Sequence, residues 1–141
     1  MIALIADDSP TQRALWMYAF DGPELKLRTV EQIEEVRSSG PHVMNLVVAK
    51  DGLQAASYLD QMKADLLITD VEMPGMDGWD LAARAQEKQS DLPVLVFSSR
   101  VRTGDKIPLH LDQGRTHIIG KHDRERAVAL VRSILNLDTY A

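Results

Sequence analysis

Five short, mostly apolar runs punctuate this chain and leave few folds open to it. Ile2–Ala6 ends in Asp7-Asp8, and Asn45–Ala49 is followed by the turn Asp51-Gly52. Leu66–Thr69 ends at Asp70, Pro93–Phe97 at Ser98-Ser99, and Thr116–Ile119 at Gly120-Lys121. Continuous apolar runs of this length read as strands buried on both faces. Between them lie stretches with helical spacing. Thr11–Phe20 carries Leu15 and Ala19 on one stripe, with Ser9 as N-cap and Pro10 at the first helical position. Leu53–Met62 places Leu53, Ala56 and Leu59 on one face, and Gly78–Gln86 is a further helix. Arg124–Leu135 carries Ala127, Val128, Val131, Ile134 and Leu135 on its inner stripe. Strands alternating with helices predict an α/β fold, a parallel sheet between two helical layers with right-handed crossovers.

Two segments interrupt the alternation. Residues 21–42 exceed an ordinary loop and predict an insertion with a helix of its own. Thr29-Val30-Glu31-Gln32 has the form of a capping box, Val30, Ile33 and Val36 recur every third residue, and Gly40-Pro41 supplies a stop. That stripe reads as packing against the body, the alternative being a partner or homodimer contact. Between the fourth and fifth runs, Gly104 and Pro108 leave room only for a short helix, with Asp105 as its N-cap.

At 141 residues the chain is one domain, residues 1–141 with the insertion inside it. Sixteen Lys and Arg against 21 Asp and Glu give a net charge of −5, which argues against non-specific nucleic-acid binding. Zero cysteines exclude disulfides, thiolate metal sites and thiol catalysis. Apolar runs are too short to span a bilayer and no signal peptide is visible, so a soluble, cytoplasmic domain is expected. Nothing but residues 138–141 follows the last helix, so no output domain is expected within the chain. His42, His110, His117 and His122 read as surface or loop residues, and Trp16, Tyr18 and Trp79 are too scattered for a nucleic-acid stacking platform.

In an open parallel sheet, ligands bind beyond the carboxyl ends of the strands. That rim carries Asp7 and Asp8, Asp70, Ser98 and Ser99, and Lys121. Taken singly each is commonplace: an Asp pair is usually a cap, a Ser pair a turn, and a lone Lys solvent-exposed. Together at successive strand ends they form a rarer coincidence. Crowded carboxylates need a cation or must take up protons. Hard oxygen donors suit Mg²⁺, which is usually completed by phosphate oxygens. An ammonium and a hydroxyl complete a phosphoryl clamp, and a central aspartate can serve as nucleophile, forming an acyl phosphate.

These residues resemble the receiver domain of two-component response regulators. Asp7-Asp8-Ser9-Pro10-Thr11-Gln12-Arg13 is similar to the family's acidic pair and first helix start. Leu66 through Gly78 (LLITDVEMPGMDG) is similar to its phosphorylation-site signature, and Pro93–Ser98 and Lys121 match its switch strand and lysine. The resemblance implies a flavodoxin-like, doubly wound, five-stranded parallel sheet of order 2-1-3-4-5. It implies that Asp70 accepts a phosphoryl group from a histidine kinase, a phosphotransfer protein or a small phosphodonor. Asp8 would bind Mg²⁺ directly, Asp7 mostly through water, and the backbone carbonyl of Glu72 would complete the metal site with Asp70. Ser98 would hydrogen-bond the phosphoryl group, Lys121 would pair with its oxygens, and Gly78 would allow a tight backbone before the next helix.

The chain departs from the family where His122 follows the lysine in place of proline and where Ile118 stands in place of an aromatic residue. The chemistry implied is autophosphorylation from a phosphodonor and slow autodephosphorylation, with no classical substrate turnover. Signalling would then pass through a downstream protein target whose affinity shifts with phosphorylation. Neither nucleic acid nor membrane is an expected partner. The main alternative is a pseudo-receiver, a protein-interaction module independent of phosphorylation. A phosphohydrolase of the haloacid-dehalogenase type uses similar groups, but it wants Asp-x-Asp after its first strand, and the order here is different.

Overall fold

Each apolar run becomes a strand because helices cover both of its faces. The computed structural model describes residues 1–21, 26–30 and 43–137. Its elements are β1 (Ile2–Ala6), α1 (Pro10–Phe20), β2 (Lys26–Val30), β3 (Val43–Ala49), α2 (Gly52–Gln61), β4 (Leu66–Thr69), α3 (Gly78–Lys88), β5 (Val94–Ser98), β6 (Thr116–Gly120) and α4 (Arg124–Ile134). The strands form one parallel sheet in the order β2-β3-β1-β4-β5-β6. Without the edge strand β2, this is the five-stranded 2-1-3-4-5 order expected from the sequence.

Strand periodicity divides the core in two. Leu4, Ala6, Val47, Ala49, Leu67, Val94 and Val96 face α2 and α3, packing on Ala55, Leu59, Leu81 and Ala85. Ala3, Ile5, Leu46, Val48, Ile68, Leu95 and Phe97 face α1 and α4, packing on Trp16, Phe20, Ala127 and Val131. Trp16 meets Phe97 edge-on at 5.5 Å between ring centroids. Such a pair adds about 0.5–1.5 kcal/mol beyond the area it buries. Arg132 Nη1 donates to the Ala19 carbonyl at 2.9 Å, tying α4 to the end of α1.

The insertion supplies a sixth strand. Lys26–Val30 pairs in parallel with Val43–Val47, so Thr29 and Val30 lie in a strand and not at a helix start. The rest of the expected helical stripe, including Ile33 and Val36, lies outside the described residues, as does His42. The short helix expected after β5 is replaced by turns. Asp105 does not cap a helix; its carboxylate instead accepts from Arg102 N at 2.8 Å. Farther along, the Gln113 side-chain amide donates to the carbonyls of Ile107, Pro108 and Leu111, holding the segment by side-chain bonds in place of a helical ladder. Ser9 does cap α1, but its side chain makes no cap bond.

The start of α3 is set by close backbone approach. Asp77 caps it, accepting from Asp80 N at 2.8 Å, and Gly78 N donates to Val71 O at 2.9 Å. A Cβ at residue 78 would stand 1.9 Å from the Asp70 carbonyl oxygen. Only glycine lets the helix begin against the peptide that follows β4. Gly78→Ala is therefore expected to destabilise the fold by about 1–3 kcal/mol, the usual range for overpacking. Chemical denaturation should show a lower midpoint with an unchanged slope. A midpoint equal to wild type would contradict the contact.

Candidate functional site

The parallel register brings the strand ends together. Ala6 pairs with Thr69, so Asp7 and Asp70 leave the sheet side by side, and Asp70 N donates to Ala6 O at 3.0 Å. On the far side of β4, Ser98 pairs with Gly120, and Lys121 N continues the ladder to Ser98 O at 3.1 Å. The lysine thus starts two strands away from Asp70, and its side chain reaches back across the rim.

Lys121 Nζ lies 3.0 Å from Asp70 Oδ2 and 3.1 Å from Asp7 Oδ2. The remaining oxygens are held by the backbone: Asp70 Oδ1 accepts from Val71 N at 2.7 Å and Asp7 Oδ1 from Ser9 N at 2.9 Å. Asp7 is buried, its side chain only 7% exposed, while Asp8 is exposed. Burial pulls the Lys121 ammonium toward deprotonation, but Asp70 and Asp7 outweigh it and leave its pKa above the ordinary lysine value.

Ser98 is fully buried, and its hydroxyl accepts from Arg100 N at 3.1 Å. The Glu72 carboxylate pairs with Arg100 at 2.8 Å, linking the loops after β4 and β5, with both side chains mostly exposed. His110 and His122 are exposed as expected. His117 is not: it lies half-buried within β6, where burial holds its pKa below the usual histidine value.

Among the described residues, no three His, Asp or Glu side chains are gathered as a metal cage. Asp7 and Asp70 converge on the lysine ammonium instead. The donor chemistry nevertheless suits magnesium. Asp7, which is buried, and Asp70 flank the Lys121 ammonium, Asp8 stands exposed next in the chain, and carboxylates are hard oxygen donors.

The response regulator receiver domain family matches residues 38–132 of the chain. The chain belongs to that family. The receiver is 31% identical over 132 residues to the sensor protein EvgS of Escherichia coli, covering 84% of this chain and 9% of that protein. It is 40% identical over 76 residues to the response regulator GtcR of Aneurinibacillus migulanus, covering 54% of this chain and 31% of that protein. It therefore spans less than a third of the length of these two relatives. Among solved structures, the receiver domain of a Francisella response regulator matches with a TM-score of 0.66 at 20% identity, covering 97% of this chain and 98% of that one. The response regulator TrrA of Thermotoga maritima, solved with Mg²⁺ and BeF, matches with a TM-score of 0.63 at 21% identity, covering 94% and 97%. The CheX–CheY–BeF₃–Mg complex of Borrelia burgdorferi gives 0.64 at 20% identity, covering 95% and 88%. At these identities the structures speak for the fold.

The receiver's rim residues were all visible at strand ends in the sequence. Arg100 and Thr103 were not. Both follow β5 by a few residues, and their side chains find partners distant in the chain: Glu72 for Arg100, Gly120 and Asp123 for Thr103.

Proposed function

We propose that this receiver is a phosphoacceptor of a two-component phosphorelay, taking a phosphoryl group on Asp70 in a magnesium-dependent reaction. The observation that carries the reading is the Asp70 carboxylate, fixed at one oxygen by Val71 N and at the other by Lys121, beside the buried Asp7. A carboxylate held in one orientation is a nucleophile with its entropy cost already met. In the transfer an Asp70 oxygen forms a bond to phosphorus. The bond from phosphorus to the donor's oxygen or nitrogen breaks, and the leaving group keeps the electron pair.

Asp7, Asp8, Asp70 and the Glu72 carbonyl would hold Mg²⁺, which when bound neutralises charge on the phosphoryl oxygens. Lys121 exchanges a carboxylate partner for a phosphoryl oxygen. The Ser98 hydroxyl becomes a donor to the same group once it turns from Arg100. Similarity to a sensor protein and to a structure solved with magnesium and beryllofluoride supports this reading. The partners proposed are a histidine kinase or phosphotransfer protein upstream and a protein target downstream, in the cytoplasm. Among the described residues no helix is long and apolar enough to cross a membrane.

Beryllofluoride, a phosphoryl mimic, tests the site without turnover. Titration followed by tryptophan fluorescence, Trp79 lying next to Gly78 and Trp16 in the core, should saturate with wild type only when magnesium is present. Saturation equal without magnesium, or no response at all, would leave the phosphorylation-independent alternative standing.

The exposed Glu72–Arg100 pair joins the loops after β4 and β5 and, on this reading, would flank the path of a water attacking phospho-Asp70. Exposed pairs are worth about 0.2–1 kcal/mol, so Glu72→Ala should speed loss of the phosphoryl group by at most about fivefold. An unchanged decay rate would remove Glu72 from the account.

A further inference from the structure

The lysine of this site sits in a tight turn. Asp123 N donates to Gly120 O at 2.9 Å, closing residues 120–123 around Lys121 and His122. His122, which stands where the family has proline, is exposed, and its ring lies over Gly120 and 3.6 Å from the Asp123 carboxylate without a hydrogen bond to either end of the turn. Both ends of the turn are instead held by one side chain from elsewhere. Thr103 Oγ1 accepts from Gly120 N at 3.1 Å and donates to the Asp123 carboxylate.

Asp123 occupies the N-cap of α4, yet its side chain makes no cap bond to the helix. Its carboxylate goes to Thr103, a bond that holds its pKa below the usual carboxylate value. The threonine arrives there because the segment after β5 runs along the outer edge of β6. Gly104 N reaches Ile118 O at 3.4 Å, and a Cβ on Gly120 would stand 3.0 Å from the Val101 carbonyl. The turns found in place of the expected helix thus serve to deliver one hydroxyl to both ends of the lysine turn.

We propose that Thr103 is a positioning residue for Lys121, fixing the turn from Gly120 to Asp123 so that the ammonium reaches Asp70 and Asp7. It touches no reacting atom and acts through the lysine. The inference rests on the phosphoacceptor reading of Asp70.

Thr103→Val removes the hydroxyl while keeping the shape, and Thr103→Ser keeps the hydroxyl. With acetyl phosphate as donor, Thr103→Val should lower the maximal rate of phosphoryl uptake by about tenfold at unchanged donor affinity, since a small misplacement of a charge-stabilising group costs up to about 10². Thr103→Ser should restore most of the rate, and Asp123→Ala, which removes the acceptor of the Thr103 hydroxyl, should lower it in the same sense as Thr103→Val. In a Lys121→Met background, Thr103→Val should cost no further rate. A full rate in Thr103→Val, or equal loss in Thr103→Ser, overturns the proposal. If wild type takes up no phosphoryl group, the phosphoacceptor reading fails, and the positioning claim is judged by denaturation alone. There, the effects of Thr103→Val and Lys121→Met on the unfolding constant should be non-additive. Strict additivity overturns it.

Discussion

Asp70→Asn should abolish phosphoryl uptake. The amide keeps an oxygen for Val71 N, so the loop after β4 keeps its anchor, but the nucleophilic carboxylate is gone. Two opposing effects act on stability. Lys121 loses one of its two anionic partners, while Asp7 and Asp8 lose a like-charged neighbour. The net change should stay within about 1 kcal/mol. A phosphate-affinity gel after incubation with acetyl phosphate and magnesium should show a retarded band for wild type and none for the variant. A retarded band of equal strength in Asp70→Asn would move the acceptor elsewhere.

Lys121→Met acts on the fold and the chemistry together. The buried Asp7 carboxylate and its neighbour Asp70 are left facing one another without their shared ammonium. Removing one partner of a buried pair costs about 3–5 kcal/mol; because the lysine is partly exposed, a loss near 3 kcal/mol is expected. Added magnesium should restore part of it, by binding the folded state. Phosphoryl uptake should slow by about 10²-fold or more, as when a single charge-stabilising donor is lost. Denaturation with and without magnesium and a time course of uptake check both parts. Stability and rate both at wild-type level would contradict the role given to the lysine.

The same contact fixes a pH dependence. Burial lowers the lysine pKa, Asp70 and Asp7 raise it more, and the folded value ends above the unfolded one near 10.5. The stabilisation is therefore complete below the unfolded pKa and is lost as pH rises through the higher folded value. Lys121→Met should flatten that alkaline limb of the stability profile.

What the sequence disclosed follows the range of the forces involved. Strands such as Leu66–Thr69 were legible because burial on both faces leaves an unbroken apolar run. The rim residues were legible because strand direction alone sends Asp7, Asp70 and Lys121 to one edge. Lys26–Val30 was not, since K-L-R-T-V has no apolar run, and its pairing with β3 is a contact between chain segments far apart. The segment after β5 shows the same limit. Gly104 and Pro108 signalled a broken helix, but what replaces it depends on Gln113 reaching three carbonyls and on Gln86 meeting Thr116 and Asp112 across the chain. The convergence of Asp7 and Asp70 on the lysine was equally hidden. Residue types placed the ammonium on the rim, and only side-chain geometry shows that both carboxylates share it.

Mass spectrometry of the protein after acetyl phosphate treatment, with peptide mapping, bears most directly on the phosphoacceptor claim. A single phosphoryl adduct located on Asp70, formed with magnesium and lost when the metal is chelated beforehand, is the expected result. An unmodified protein under both conditions, or an adduct on another residue, would contradict it.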